Sequence, residues 1–345
     1  MTTFNFNTLC AGRSLTTEES QALFTQVFEG KIDPVLLAGI LTALKIKGET
    51  PEEIEGAARA MVAAAAYFPR PQGVEVGEIV GTGGDGMKTI NVSTTTALLA
   101  AAAGLKIAKH GISSPTGASD LLTALGVDIR LTPDESAQLL DATGFCFCFA
   151  QLYHPAMRFA GPVRAALKTR TIFNILGPLT NPAHPDYALI GVYSPALLET
   201  VAQTLRLLGV KRAYVVHGSG LDEAAVHGTT EIAELKEDGT IERSTLTPAD
   251  LGAKRLYSIE EIKGGAPADN ALITEAILAG KGTEAQQVFV AANLALLLKI
   301  GGLAKSLPEA VELARRTMAS GKGLEVLNAH RAYAASHTAS SQKAA

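Results

Sequence analysis

Residues 1–68 carry apolar positions in helix-like runs, each opened by a start signal. Thr16-Thr17-Glu18-Glu19 and Thr50-Pro51-Glu52-Glu53 read as capping boxes, in which a threonine oxygen and a glutamate satisfy the free amides of a first turn. Asp33-Pro34 starts another helix, with proline at its first position. Pro69-Arg70-Pro71-Gln72-Gly73 breaks the pattern and reads as a linker. Beyond it the texture alternates. Strands are predicted at 76–80, 105–109, 127–131, 145–150, 188–193 and 212–217, with helices at 92–103, 133–142 and 195–208. The last two helices begin at Thr-Pro or Ser-Pro and stop at Gly144 and Gly209. Such alternation predicts a largely parallel sheet with helices on both faces. Runs 231–236 and 240–246, joined by Asp238-Gly239, predict an edge hairpin. The chain is helical again from 270, and a small polar tail, 336–345, is expected to be disordered.

Length and charge narrow this picture. A chain of 345 residues suggests two domains. Apolar residues at 47% and charged residues at 19% fit a globular chain. A net charge of -4 gives no general attraction to nucleic acid or an anionic membrane, so any phosphate recognition must be local. Apolar runs such as 97–105 and 288–298 are too short to span a bilayer, and no signal peptide is evident. The three cysteines are an odd number, and two sit in Phe145-Cys146-Phe147-Cys148-Phe149, a pattern expected of a buried strand with core thiols. The cytoplasm is the expected compartment.

The chemistry gathers where predicted strands end. Gly81-Thr82-Gly83-Gly84-Asp85-Gly86 follows a strand and precedes a helix. That is the crevice where open α/β sheets bind ligands, and glycines let backbone amides close on an anion. It is neither a Walker A loop nor G-x-G-x-x-G; the alternative is a tight turn with no ligand. Asn91, Ser93 and Thr94 follow on the opening helical turn, where their side chains can donate to phosphate and a serine can ligate magnesium. A second cluster, Lys109-His110-Gly111 with Ser113, Ser114, Thr116, Ala118 and Ser119, offers a charge partner and hydroxyl donors; alone it would read as a solvated loop. A third runs through His154, Arg158, Arg164 and Arg170 into 174–183. A fourth, His217 to Glu223, ends in Asp222-Glu223, hard oxygen ligands suited to Mg²⁺ held jointly with a phosphate. An ordinary polar loop is the alternative there. No Cys-His or Ser-His-Asp nucleophile system stands out, so the set suits a diphosphorylated substrate that loses diphosphate.

In order and spacing, GTGGDG, NVST, KHG, YHPAMR, GPVR, KTRTIFNILGPLTNPA and HGSGLDE resemble the anthranilate phosphoribosyltransferase family from about residue 10 to 330. The resemblance implies an α/β fold of the nucleoside phosphorylase/phosphoribosyltransferase type: a small helical domain plus a large α/β domain with a mainly parallel sheet. The small domain would be 1–70, joined by helices near 169–183; the large domain would be 74–168 and 184–335. It implies transfer from 5-phosphoribosyl 1-diphosphate (PRPP) to anthranilate in tryptophan biosynthesis, two Mg²⁺ ions per subunit, and a homodimer formed through the small domain. It places Gly81, Gly84, Asp85, Thr89, Asn91, Val92, Ser93, Thr94, Lys109, His110, Gly111, Ser113, Ser114 and Ala118 around PRPP. Gly81, His154, Arg164, Gly177 and Pro178 would surround anthranilate, and Ser93, Asp222 and Glu223 would ligate metal; His110 is the one candidate general base. One departure is plain. The family reads Lys-His-Gly-Asn-Arg-x before a small apolar residue and Ser-Ser, whereas here Gly111 is followed directly by Ile112. An asparagine that touches both substrates has no counterpart. Other readings of the fold are a pyrimidine nucleoside phosphorylase, which needs no GLDE pair, a nucleic-acid-binding relative, which needs a basic face, and a catalytically impaired substrate-binding dimer.

Overall fold

The computed structural model describes residues 6–112 and 117–343, with side chains through 336. Four helices come first: α1 (Phe6–Cys10), α2 (Thr17–Phe28), α3 (Pro34–Lys47) and α4 (Pro51–Ala63). The expected caps form. Thr16 and Thr50 each close a full capping box, and Asp33 accepts the Val35 and Leu36 amides.

The sheet follows: β1 (Gly77–Gly81), α5 (Val92–Ala102), β2 (Ile107–Gly111), α6 (Ala118–Ala124), α7 (Pro133–Thr143), β3 (Phe145–Phe149), α8 (Ala150–Tyr153), α9 (Gly161–Leu167), α10 (Phe173–Leu176), β4 (Tyr187–Gly191), α11 (Leu198–Leu207) and β5 (Arg212–His217). The hairpin β6 (Thr230–Leu235) and β7 (Ile241–Leu246) comes next, then α12 (Pro267–Leu278), α13 (Glu284–Ile300), α14 (Leu307–Ala319) and α15 (Lys322–Lys343). The strand order is β3-β2-β1-β4-β5-β6-β7, with β1 to β5 parallel and β6 and β7 antiparallel at the edge. The chain therefore reverses its march across the sheet between β1 and β4. That reversal opens the crevice at the carboxyl ends of the strands.

Two large apolar cores lie on opposite faces of the sheet. One packs α5, α12, α13 and α14 around Leu98, Phe289 and Leu296. The other joins α2 to α4 and α9 to α11 with the inward residues of β4 and β5, including Phe24, Ile40, Phe173 and Ile190. Cys146 and Cys148 are buried thiols on one face of β3, and Cys10 is exposed.

One expectation fails. Residues 127–131 form no strand, although Val127 and Leu131 are buried. The Asp128 carboxylate accepts the Arg130 amide at 2.8 Å, a local turn that competes with ladder pairing. Helix α15 runs to Lys343, into the segment 336–345 for which disorder is expected. Among the described residues, no helix is long and apolar enough to cross a membrane.

Candidate active site

The glycine loop between β1 and α5 explains its own composition. Gly83 and Gly84 sit at φ +70° and +81°, in the left-handed region that L side chains rarely adopt. Gly81, and Gly191 at the end of β4, serve a different purpose. A Cβ on Gly81 would lie 2.1 Å from Asp222 Oδ2, and one on Gly191 would lie 1.4 Å from the Asp222 carbonyl oxygen. Bare backbone on β1 and β4 is therefore what lets the acidic loop after β5 fold over the crevice. Asp222 then accepts the Gly83 amide at 2.6 Å. Asp85 caps its own turn, accepting the Met87 amide at 3.0 Å. Among the described residues, the Gly84, Asp85 and Gly86 amides meet no protein acceptor.

Asp222 and Glu223 are held unlike ordinary carboxylates. Burial, then repulsion from Asp85, raises the Asp222 pKa; burial, then repulsion from Asp222 and Asp85, raises that of Glu223. Glu223 also meets the Thr89 hydroxyl at 3.4 Å. A buried and a half-buried acid whose charge the fold resists, with Ser93 among the cleft residues, fit a divalent cation. No cluster of three or more acidic, His or Cys ligands occurs among the described residues, so the set is open and would be completed by substrate oxygens and water.

Lys109 is buried, and its ammonium donates to the Ile79 carbonyl at 2.6 Å. Burial lowers its pKa, while Glu78, Glu223 and Asp222 favour its charge. Glu78 is the residue that sequence reasoning missed. It is wholly buried on β1, and its carboxylate accepts the Ile79 and His110 amides and the Asn181 side-chain amide. Burial pushes its pKa up, and Lys109 pulls it back. The available signal was one acid in an apolar strand directly before the glycine loop.

Across the cleft lies a drier wall. His110 and His154 meet edge to face, with centroids 5.0 Å apart. Burial pushes His110 down to about 3 and His154 down to about 4, so both imidazoles are neutral near pH 7. His110 Nδ1 lies 3.1 Å from the Gly177 carbonyl, which can only accept, so Nδ1 carries the proton and Nε2 a bare lone pair. Among the described residues, His110 Nε2 has no hydrogen-bond partner, and His154 makes no well-formed hydrogen bond, although the Thr180 and Met61 backbone lies close enough to favour its charge in part. The Arg164 guanidinium lies 5.2 Å above the Phe173 ring, is partly desolvated, and faces no acidic partner among the described residues.

One cleft of about 910 Å³ gathers nearly all the expected residues. Gly81, Gly84, Asp85, Thr89, Asn91, Ser93, Thr94, Lys109, His110, Gly111 and Ala118 line it, with His154, Arg164, Gly177, Pro178, Asp222 and Glu223. Val92 does not line it: the side chain is fully buried in the α5 core, because an apolar residue on the first turn faces the sheet. Ser113 and Ser114 lie outside the described residues. Thr82, Gln151, Arg158 and Asn174, which belong to the clusters picked out by sequence without a substrate assigned to them, also line the cleft, as does Lys88, which sequence pattern did not single out.

Comparison with known proteins agrees with this geometry. Residues 74–324 match the model of the glycosyl transferase family, a/b domain, and residues 6–65 match that of its helical bundle domain. Anthranilate phosphoribosyltransferase of Tolumonas auensis is 54% identical over 94% of this chain and 96% of its own length. The crystal structure of the Thermus thermophilus enzyme superposes with a TM-score of 0.90 at 40% identity, covering 95% of this chain and 98% of that one. The Saccharomyces cerevisiae enzyme in complex with PRPP and Mg superposes with a TM-score of 0.86 at 28% identity, covering 96% and 97%. A seven-stranded sheet of this order, a glycine loop facing an acid pair across one cleft, and these likenesses over nearly the whole length place the chain in the anthranilate phosphoribosyltransferase family.

Proposed function

We infer that this chain transfers the 5-phosphoribosyl group of PRPP to the amine of anthranilate, giving N-(5-phosphoribosyl)anthranilate and diphosphate in tryptophan biosynthesis. The observation that carries the reading is one cleft with two unlike walls. Unpaired loop amides and the acid pair line one side; an arginine without an acid and two neutral histidines line the other. The first wall suits a metal-bound diphosphate, and the second a flat aromatic carboxylate. A fluorescence assay of anthranilate consumption with PRPP and Mg²⁺ should show turnover that EDTA abolishes. No turnover under any metal condition would sink the reading.

Chemically, the bond from ribose C1 to the diphosphate oxygen breaks, its electron pair leaves with diphosphate, and the aniline nitrogen bonds to C1. Anthranilate brings its own nucleophile, so the protein's task is to orient it and to stabilise the leaving charge. The amides of Gly84, Asp85 and Gly86, which meet no protein acceptor among the described residues, would donate to that charge. Ser93 with Glu223, and Asp222 with Glu223, would hold two Mg²⁺ ions. Bound Mg²⁺ neutralises charge on the departing diphosphate. Dimerisation through the helical part is supported by Val35 and Ile46, each 81% exposed and eleven residues apart on α3, hence on one side of that helix. Light scattering that returns the mass of one chain would refute it. The cytoplasm suits three unpaired cysteines.

Two substitutions test the drier wall. Arg164→Ala should raise the KM for anthranilate about 10- to 150-fold, the worth of a charge-assisted hydrogen bond, with a far smaller change for PRPP. A larger change for PRPP would put Arg164 at the other substrate. His110→Ala should cost roughly 3- to 10-fold in kcat/KM, about one neutral hydrogen bond. The shape of its pH profile from 5.5 to 8 should match that of the unsubstituted protein, because burial keeps His110 uncharged down to about 3. An acid limb that vanishes in the variant would show that His110 titrates in that range.

A further inference from the structure

Arg170 lies outside every role assigned above, yet it bridges three elements. It belongs to the segment between α9 and α10, where Lys168 is in the left-handed region at φ 48°. Its guanidinium donates to the Gly84 carbonyl in the glycine loop. The same group lies 3.7 Å over the ring of Tyr193, just beyond β4. Tyr193 is itself tied to the loop, since its amide donates to the Thr82 hydroxyl at 3.0 Å, while the Thr82 amide donates to the Gly191 carbonyl at 3.0 Å. Arg170 therefore has a fixed platform beneath it and a single backbone target. Among the described residues no carboxylate lies within ion-pair distance of it, and its guanidinium is held by the ring and the carbonyl alone.

The target matters because a trans peptide is rigid and planar. Its carbonyl and the following N–H point in opposite directions. Fixing the Gly84 carbonyl toward Arg170 therefore fixes the Asp85 N–H away from it. That amide is one of the loop donors with no protein acceptor. Gly84 lacks the side chain that would restrain its backbone, and at φ +81° the local chain does not choose this peptide orientation alone. A loop rich in glycine can rotate that peptide; an arginine clamped on a tyrosine ring hinders the rotation.

We propose that Arg170, stacked on Tyr193, is a positioning residue that sets the Gly84–Asp85 peptide so that the loop amides face the diphosphate of the phosphoribosyl donor. This rests on the phosphoribosyl-transfer reading and adds to it a clamp from the segment preceding α10. Arg170 orders the loop in advance of binding and leaves the aromatic acceptor's wall untouched. Its loss is felt in donor affinity.

The test uses the intact protein and two readouts. Calorimetric titration with inorganic diphosphate and Mg²⁺ reports the cradle without chemistry, and steady-state kinetics reports each KM. Arg170→Met should weaken diphosphate binding and raise the KM for PRPP about tenfold, as expected for one charge-assisted hydrogen bond, with the anthranilate KM within about twofold. Tyr193→Leu should give a smaller effect of the same direction, and Tyr193→Phe, which keeps the ring, should behave as the unsubstituted protein. The double variant Arg170→Met with Tyr193→Leu should be no worse than Arg170→Met alone, because the two act as one unit. Arg170→Gln, which keeps an N–H donor without the charge, should recover part of the loss. Unchanged diphosphate binding in Arg170→Met, strictly additive effects, or an Arg170→Gln as poor as Arg170→Met would each overturn the proposal. Failure of the unsubstituted protein to bind diphosphate would instead count against phosphoribosyl transfer itself.

Discussion

Glu223→Gln should lower kcat/KM at least ~100-fold, about 2.7 kcal/mol of transition-state stabilisation. The substitution keeps size and the reach to the Thr89 hydroxyl at 3.4 Å while removing one charge. Glu223 is half-buried at the cleft, and desolvation together with Asp222 and Asp85 stands against its charge, with Lys109 the cation acting in its favour. A group so placed has no evident structural reason to be an acid, so the loss should fall on metal and diphosphate handling and not on folding. Raising Mg²⁺ should restore part of the rate, because Asp222 remains. The decisive measurement is the rate at limiting Mg²⁺: if it matches that of the unsubstituted protein, the acid pair has no place in the mechanism.

Restoring three residues after Gly111 should have the opposite sign. Inserting Asn-Arg-Gly between Gly111 and Ile112 is expected to raise kcat/KM at least tenfold. The two flanking points are tethered. Gly111 pairs with Phe149 in the β2–β3 ladder, and the Ile112 carbonyl accepts the Ser119 hydroxyl at 3.1 Å. Three residues span about 10 Å at full stretch, so side-chain motion cannot replace them. The missing asparagine could donate and accept, and the missing arginine would add charge near phosphate. At about 0.5–1.5 kcal/mol for a neutral and 1.5–3 for a charged hydrogen bond, the deficit is roughly 2–4.5 kcal/mol, or about 30- to 2000-fold. An unmodified chain that is already fast, and gains nothing from the insertion, would show that this loop is dispensable and that other cleft residues, Lys88 among them, do its work.

Much of this was written locally. The capping boxes at Thr16 and Thr50 are complete within four residues, so they read directly and form as read. The glycine loop announced an anion cradle because only bare backbone turns through positive φ at Gly83 and Gly84. Asp222-Glu223 was legible only as a candidate metal pair, with an ordinary polar loop the alternative, because adjacent carboxylates at a strand end are hard oxygen ligands.

What failed or went unseen turned on contacts that periodicity does not reveal, some local and some far along the chain. Residues 127–131 had the alternation of a strand, but Asp128 captured the Arg130 amide in a local turn. Val92 was placed at the cleft through the family motif, yet the helix turns its side chain into the core. Glu78 could not be weighed without Asn181 and His110, which lie 103 and 32 residues away and turn a costly buried acid into a satisfied one. Arg170 looked like one cation in a basic run; only folding sets it on Tyr193 and on a carbonyl 86 residues away. The sequence by itself determined the elements and the chemistry each strand end carries, because periodicity, caps and positive-φ glycines act within a few residues. The tertiary structure alone decided which of those groups lose water and which share a hydrogen bond. Burial and long-range contact, not residue type, made Asp222 and Glu223 strained acids, His110 a neutral imidazole and Arg164 an arginine without an acid.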